Sequence, residues 1–282
     1  PMENQYLKID QLRSFKNHLQ DEERSKATID KYLFEVTQFS VYLDGKEVTK
    51  TNVSHLKEHL IASGYAPSTV NGKLTALDRF LDFIGRSECK VKHLKLQRRL
   101  FRDDTRELTK REYERLIETA KELGKQRLSL LMEAICSTGI RVSEVQYLTV
   151  EAAQRGKAEI RMKGKLRTIL IPKKLCRKLL KYAKKHKTAS GEIFLIRGGK
   201  SISRKQIWVE MKALCKRAGV APSKVFPHNL RHLFARTFYH VCRDIAKLAD
   251  VLGHSSVETT RIYLISTGAE HAKTLDLLQL MS

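Results

Sequence analysis

The sequence predicts a mainly α-helical protein of two domains: a four-helix domain over residues 1–85, and a C-terminal mixed α+β domain over 108–282, mostly helical with a small antiparallel sheet. Three observations carry that expectation. Apolar residues recur at three- and four-residue steps along most of the chain. Residues 86–107 lose that period and are rich in Lys and Arg, as an interdomain linker does. Residues 158–172 instead alternate around Lys163-Gly164-Lys165, the period of a β-hairpin. With 41% hydrophobic residues in a chain of 282, each domain can bury a core, which excludes general disorder.

The first helix is expected over 6–19, with Leu7, Leu12, Phe15 and Leu19 on one side. Ser25 to Thr28 offers an N-cap for a second, carrying Ile29, Leu33, Val36, Phe39 and Leu43 and ending at Asp44-Gly45. A third spans Val53 to Ser63, stopped by Gly64. Pro67 starts a fourth, with Val70, Leu74, Leu77, Phe80, Leu81 and Ile84 on its apolar face. In the second domain, Thr109 and Glu112 form a capping-box pattern, and Leu128 to Cys136 is apolar enough for a buried helix. Helical spacing returns from Pro172 to the end, including a last amphipathic segment over 264–282.

Charge narrows the function. Fifty-four Lys and Arg against 31 Asp and Glu leave a net +23, which points to a polyanionic partner, nucleic acid first. The excess is clustered: fourteen basic residues against Glu159 alone between Arg155 and Lys187, and nine against three acids between Lys90 and Arg111. Arg98, Arg99 and Arg102 in the linker, with Lys165 and Arg167 on the hairpin, are the candidate phosphate contacts. No run of 18 apolar residues is present and residues 1–5 lack a signal-peptide pattern, so no membrane role is expected. Five scattered cysteines without a CxxC pair argue against a disulfide framework or structural zinc and fit the reducing cytoplasm.

Four segments carry chemistry. In Thr138-Gly139-Ile140-Arg141-Val142-Ser143-Glu144, Glu144 lies three residues after Arg141 on a helix start, where it can hold the guanidinium as a fork for phosphate. In Pro227-His228-Asn229-Leu230-Arg231-His232, a helix start places His228 and Arg231 on one side, a proton carrier beside a cation. Metal binding by His228 and His232 is disfavoured, because no third ligand is evident and Arg231 would repel a cation. Leu252-Gly253-His254 is followed nine residues after the histidine by Tyr263, in Thr259-Thr260-Arg261-Ile262-Tyr263.

Together these segments resemble the tyrosine recombinase family, of the phage-integrase and Xer type. T-G-I-R-V-S-E resembles its first arginine box, H-N-L-R-H its second, and L-G-H with the spaced tyrosine its third box and nucleophile. Met162-Lys163-Gly164-Lys165-Leu166-Arg167 resembles its G-K-G-x-K-x-R hairpin, one residue shorter and with Met162 for the first glycine. Thr28-Ile29-Asp30-Lys31-Tyr32 and Ser68-Thr69-Val70-Asn71 resemble its N-terminal, SAM-like core-binding domain.

The resemblance implies a transesterification without metal, ATP or other cofactor. Tyr263 would attack a DNA phosphodiester to leave a 3′-phosphotyrosine and a free 5′-hydroxyl. Arg141, Arg231 and His254 would donate to the phosphorane oxygens, His228 would take the tyrosine proton, and Glu144 would orient Arg141. Lys163 would protonate the leaving oxygen, with Lys165 as the rival. The two domains would close on duplex DNA through the linker. The implied partners are double-stranded DNA with short inverted-repeat core sites and further copies of the chain, as dimers and tetramers on DNA. An accessory directionality factor is left open. So are integration or excision of a mobile element, inversion and dimer resolution, in a bacterial, phage or mobile-element setting. With only a short stretch before the second helix, no arm-binding domain is expected. Rival functions are a type IB topoisomerase and a catalytically silent DNA-binding protein.

Overall fold

The computed structural model describes residues 9–96, 104–162, 165–254 and 256–264, without the side chains of Ile9, Asp104, Met162 and Lys165. It divides into two compact units, 1–98 and 99–282, and is mostly helical with a two-stranded antiparallel sheet, as the sequence predicts.

In the first unit the helices are α1 (Ile9–Asp21), α2 (Lys26–Leu43), α3 (Lys50–Ala62) and α4 (Pro67–Phe83). The Ser25 hydroxyl caps α2 by accepting from the Thr28 amide, and Asp44 ends it in the left-handed region. Helix α3 starts three residues before the expected Val53, because the Thr49 hydroxyl accepts from the Asn52 amide at 3.2 Å and so fixes an earlier first turn. Phe15, Leu19, Val36, Phe39, Leu74, Phe80 and Leu81 are buried together, with the Phe15 and Phe80 rings edge to face at 5.2 Å. The early part of the expected linker is not a free connector. Cys89 is buried against this core, and Asn71 both donates to the Leu94 carbonyl (2.9 Å) and accepts from its amide (2.8 Å). Cys89, Val91 and Leu94 pack from a 3-10 turn and irregular chain, so no helical period betrays them.

The second unit continues with α5 (Lys110–Glu122), α6 (Gln126–Thr138), α7 (Val150–Arg155), β1 (Lys157–Met162), β2 (Lys165–Leu170) and α8 (Lys173–Lys185). It closes with α9 (Arg204–Lys212), α10 (Cys215–Ala218), α11 (Pro227–Cys242), α12 (Ile245–Leu252) and α13 (Val257–Arg261). Thr109 and Glu112 make the reciprocal capping box of α5. Helix α6 is buried on most of its surface and ends at Gly139 with φ +65°; a Cβ there would lie 2.5 Å from the Phe234 ring of α11. That close approach brings the residues after Gly139 against α11. In the hairpin, Lys157 pairs with Leu170 and Met162 with Lys165. Ala158, Ile160 and Ile169 enter the core, which also takes Leu131, Ile135, Leu179 and Leu230. Among the described residues no helix is long and apolar enough to cross a membrane.

Candidate active site

Three of the sequence segments converge on the start of α11. Pro227 opens that helix, and one turn later Arg231 points inward, 2% exposed. A guanidinium that deep needs fixed acceptors, and it has them. It donates to the Gly139 carbonyl, to the Leu252 carbonyl at 2.8 Å and to His254 Nε2 at 3.0 Å. Both carbonyls belong to helix ends, Gly139 after α6 and Leu252 at the end of α12, so Arg231 ties three segments together.

Arg141 caps a 3-10 helix, Val142–Tyr147, rather than opening an α-helix. Glu144 binds it twice: Oε2 accepts from the Arg141 amide at 2.9 Å, and Oε1 from its Nη1 at 2.8 Å. Arg141 Nη2 also reaches the Gly253 carbonyl at 3.5 Å. Its side chain stays 38% exposed while Glu144 keeps 5%, so a buried carboxylate aims an open guanidinium.

His254 follows Gly253. An imidazole Nε2 that accepts from Arg231 carries its proton on Nδ1, which donates to Thr260 Oγ1 at 2.9 Å. Burial, and then Arg231, Arg141 and Arg167, push the His254 pKa down to about 4. Burial and the same Arg231 and Arg141 charges lower that of His228. Both rings are therefore neutral near pH 7, and in this state His254 accepts from Arg231 rather than donating outward. Tyr263, in a 3-10 turn after α13, is 6% exposed. Its ring stacks on His254 (centroids 5.6 Å, 24°), the histidine that is hydrogen-bonded to Arg231. His228 lies 5.9 Å from the Tyr263 ring, and His232 is nearer at 4.3 Å. Among the described residues no group of three or more His, Cys, Asp or Glu is arranged to hold a metal.

The arrangement brings together Arg141, Glu144, His228, Arg231, His254 and Tyr263. Lys163, the side chain of Lys165, and Arg98, Arg99 and Arg102 lie outside the described residues. Arg167 needs correction as a phosphate contact. Its side chain is 11% exposed and turned inward, with Nη1 at 3.4 Å from both Glu144 oxygens and Nη2 at 3.4 Å from the Val251 carbonyl. Burial pulls its pKa down to about 10.

Sequence reading also missed Thr260, whose only signal was its place six residues after His254, and the anchors of α11. Asn229 donates to the carbonyls of Arg106 and Lys224, both at 2.7 Å, and Arg236 pairs with Glu107 and donates to the Leu108 carbonyl.

Comparison with known proteins agrees with this geometry. Residues 106–270 match the phage integrase family, and residues 12–88 match the phage integrase N-terminal SAM-like domain. The tyrosine recombinase XerA of Pyrococcus furiosus is 30% identical, over 96% of this chain and 94% of its own. In fold, the chain resembles a lambda integrase dimer bound to a COC′ core site (TM-score 0.73, 17% identity, 92% of this chain and 77% of that one). It also resembles the XerH recombinase bound to its difH substrate (TM-score 0.69, 18% identity, 96% and 90%). Two arginines, a histidine and a tyrosine thus meet at the site, and the family match spans most of both units: the chain belongs to the phage integrase family and is a tyrosine-type site-specific DNA recombinase.

Proposed function

We propose that Tyr263 is the nucleophile and that its oxygen attacks the scissile phosphorus, giving a 3′-phosphotyrosine and a free 5′-hydroxyl. His228, neutral near pH 7, takes the phenol proton. Arg141 and Arg231 neutralise the phosphorane oxygens from fixed positions. His254 changes role when the phosphate arrives: burial and then the guanidiniums keep the ring unprotonated, the anion offsets those positive charges, and His254 then donates. Lys163 protonates the departing 5′-oxygen, with Lys165 as the rival. Attack by a partner strand's 5′-hydroxyl on the phosphotyrosine restores the phosphodiester and the tyrosine, so bond energy is conserved.

The observation that carries this reading is the stacking of the Tyr263 ring on His254, which is itself hydrogen-bonded to the buried Arg231. The helical unit and the basic stretch after it bind the core site, with Arg98, Arg99 and Arg102 on phosphates. Substrates are duplexes with short inverted-repeat core sites, bound by dimers that pair into tetramers, with or without a directionality factor. The outcome is integration or excision of a mobile element, inversion or resolution. Five free cysteines, Cys89, Cys136, Cys176, Cys215 and Cys242, support work in the cytoplasm. The segment 266–282 lies outside the described residues; its proposed role is to dock on a neighbouring subunit, and its deletion is expected to spare single-site binding and abolish synapsis.

A nicked suicide substrate tests the chemistry. Wild type is expected to form a covalent adduct and Tyr263→Phe none at undiminished DNA binding. A normal adduct from Tyr263→Phe removes Tyr263 from the mechanism, and relaxation without strand exchange between two sites would favour a topoisomerase.

A further inference from the structure

Arg167 is a largely buried basic side chain at the site that the mechanism above does not use, and its surroundings are specific. It leaves β2 toward the interior, beside the same two groups that hold Arg141. Arg141 leans on Glu144 at 2.8 Å and on the Gly253 carbonyl at 3.5 Å. Arg167 faces both Glu144 oxygens, and it binds the Val251 carbonyl, two residues before Gly253, at 3.4 Å. Its stem fills the space beside Gly253 itself. A Cβ on Gly253 would lie 2.2 Å from Arg167 Cδ, closer than any real contact, so the turn passes there only as glycine. The turn is also left-handed, with φ +63°, which glycine adopts without strain. Nε of Arg167 finds no acceptor among the described residues, so its binding is confined to the two guanidinium tips.

We propose that Arg167 is a positioning residue that fixes Arg141 for transition-state stabilisation by holding both of its supports, the Glu144 carboxylate and the Val251–Gly253 turn. A lysine has one charged tip and reaches one support; the planar fork reaches both. With Arg167 gone, Glu144 keeps Arg141 as its partner and Arg231 keeps the Leu252 carbonyl, but the turn loses its tie at the Val251 carbonyl and the packed stem beside Gly253. The Gly253 carbonyl then gains room to shift, and with it the place of the Arg141 guanidinium. A misplacement of about 1 Å at a catalytic group costs on the order of 10²-fold in rate. The inference rests on the role given to Arg141 above, and the test keeps the two apart.

Arg167→Met, which retains the packed stem, is compared with Arg167→Lys and Arg167→Ala in single-turnover cleavage at saturating DNA. Wild-type adduct formation reports on the proposed function, and the variants report on Arg167. Arg167→Met is expected to cleave ~10²-fold more slowly with DNA affinity within about threefold of wild type, and Arg167→Lys to be intermediate. A substrate with a 5′-bridging sulfur, which needs little leaving-group protonation, is expected to leave the defect in place. In an Arg141→Ala background, Arg167→Met is expected to add less than about threefold, because both act through one guanidinium. The crystal structure of Arg167→Met is expected to have Arg141 displaced from the Gly253 carbonyl. An unmoved Arg141 overturns the inference whether or not the wild type cleaves. So do a rate within threefold of wild type, a loss confined to DNA affinity, rescue by sulfur, or multiplicative losses in the double variant.

Discussion

The two units stabilise themselves in opposite ways. In the N-terminal unit the fully buried side chains are apolar: Phe15, Val36, Phe39, Leu74 and Phe80 close one core, and the most sheltered charges, the Lys73–Glu35 pair, sit at its margin. In the catalytic unit Arg231 and Glu144 are as deeply buried as the neighbouring leucines, and Arg167 lies close behind. Burying charge opposes folding unless every tip is paired, so such a site is kept for what it does to a ligand. In one unit substitutions should be read as stability and in the other chiefly as rate.

The largest separation should come from the second arginine. Arg231→Ala is expected to slow adduct formation by ~10² or more, by analogy with losing one oxyanion donor. DNA affinity should fall far less, since many other basic groups hold the backbone. Single-turnover cleavage beside a binding titration checks this. If lost affinity accounts for the whole loss of cleavage, the contrast between the units fails.

Phe80→Ala is the mirror experiment. Phe80 is fully buried, so removing its ring should cost ~3–5 kcal/mol of N-terminal stability. The cleavage rate of complexes that do form should stay within about twofold of wild type. Denaturant unfolding and single-turnover kinetics read the two separately. A tenfold fall in that rate would mean that the helical core, not only its surface, participates in placing the nucleophile.

What could be read beforehand follows the same divide. Periodicity exposed the helical unit because apolar burial repeats every turn, and spaced polar motifs exposed Arg141, His228, Arg231, His254 and Tyr263. The hairpin misled for a physical reason. Its apolar Leu166 and Leu170 are the exposed ones, 67% and 76%, while Arg167 shares the inner face with buried Ile169. Strand alternation fixes which residues share a face but not which face is inside, and here a buried carboxylate, Glu144, draws the arginine inward. Asn229 was illegible because its partners are carbonyls, Lys224 nearby and Arg106 far back in the chain. Asn229→Leu leaves both without that donor and should cost ~1–3 kcal/mol in the catalytic unit alone. Equal destabilisation of the helical unit would show that the two do not unfold independently.

The smallest expected effect is also the most direct report on the buried charge. His254 and His228 have folded-state pKa values below the ordinary histidine range, that of His254 about 4, because burial and the arginines disfavour their charged forms. On acidification from pH 7, the unfolded chain takes up these protons near ~6.5, while the folded site resists until lower pH. The unfolded state thus binds more protons between ~6.5 and 4, and stability contributed by the neutral rings falls across that window. His254→Asn should flatten this acid limb for the catalytic unit and leave the helical unit's pH dependence unchanged. Bound phosphate reverses the sign at the site: its negative charge offsets Arg231 and Arg141, raises the His254 pKa and favours the donating form. Binding target DNA near pH 6 should therefore take up a fraction of a proton in wild type and less in His254→Asn. Calorimetry in two buffers of different ionisation enthalpy measures that uptake. Equal uptake by the two proteins would place the proton elsewhere and leave His254 a neutral packing partner of Tyr263.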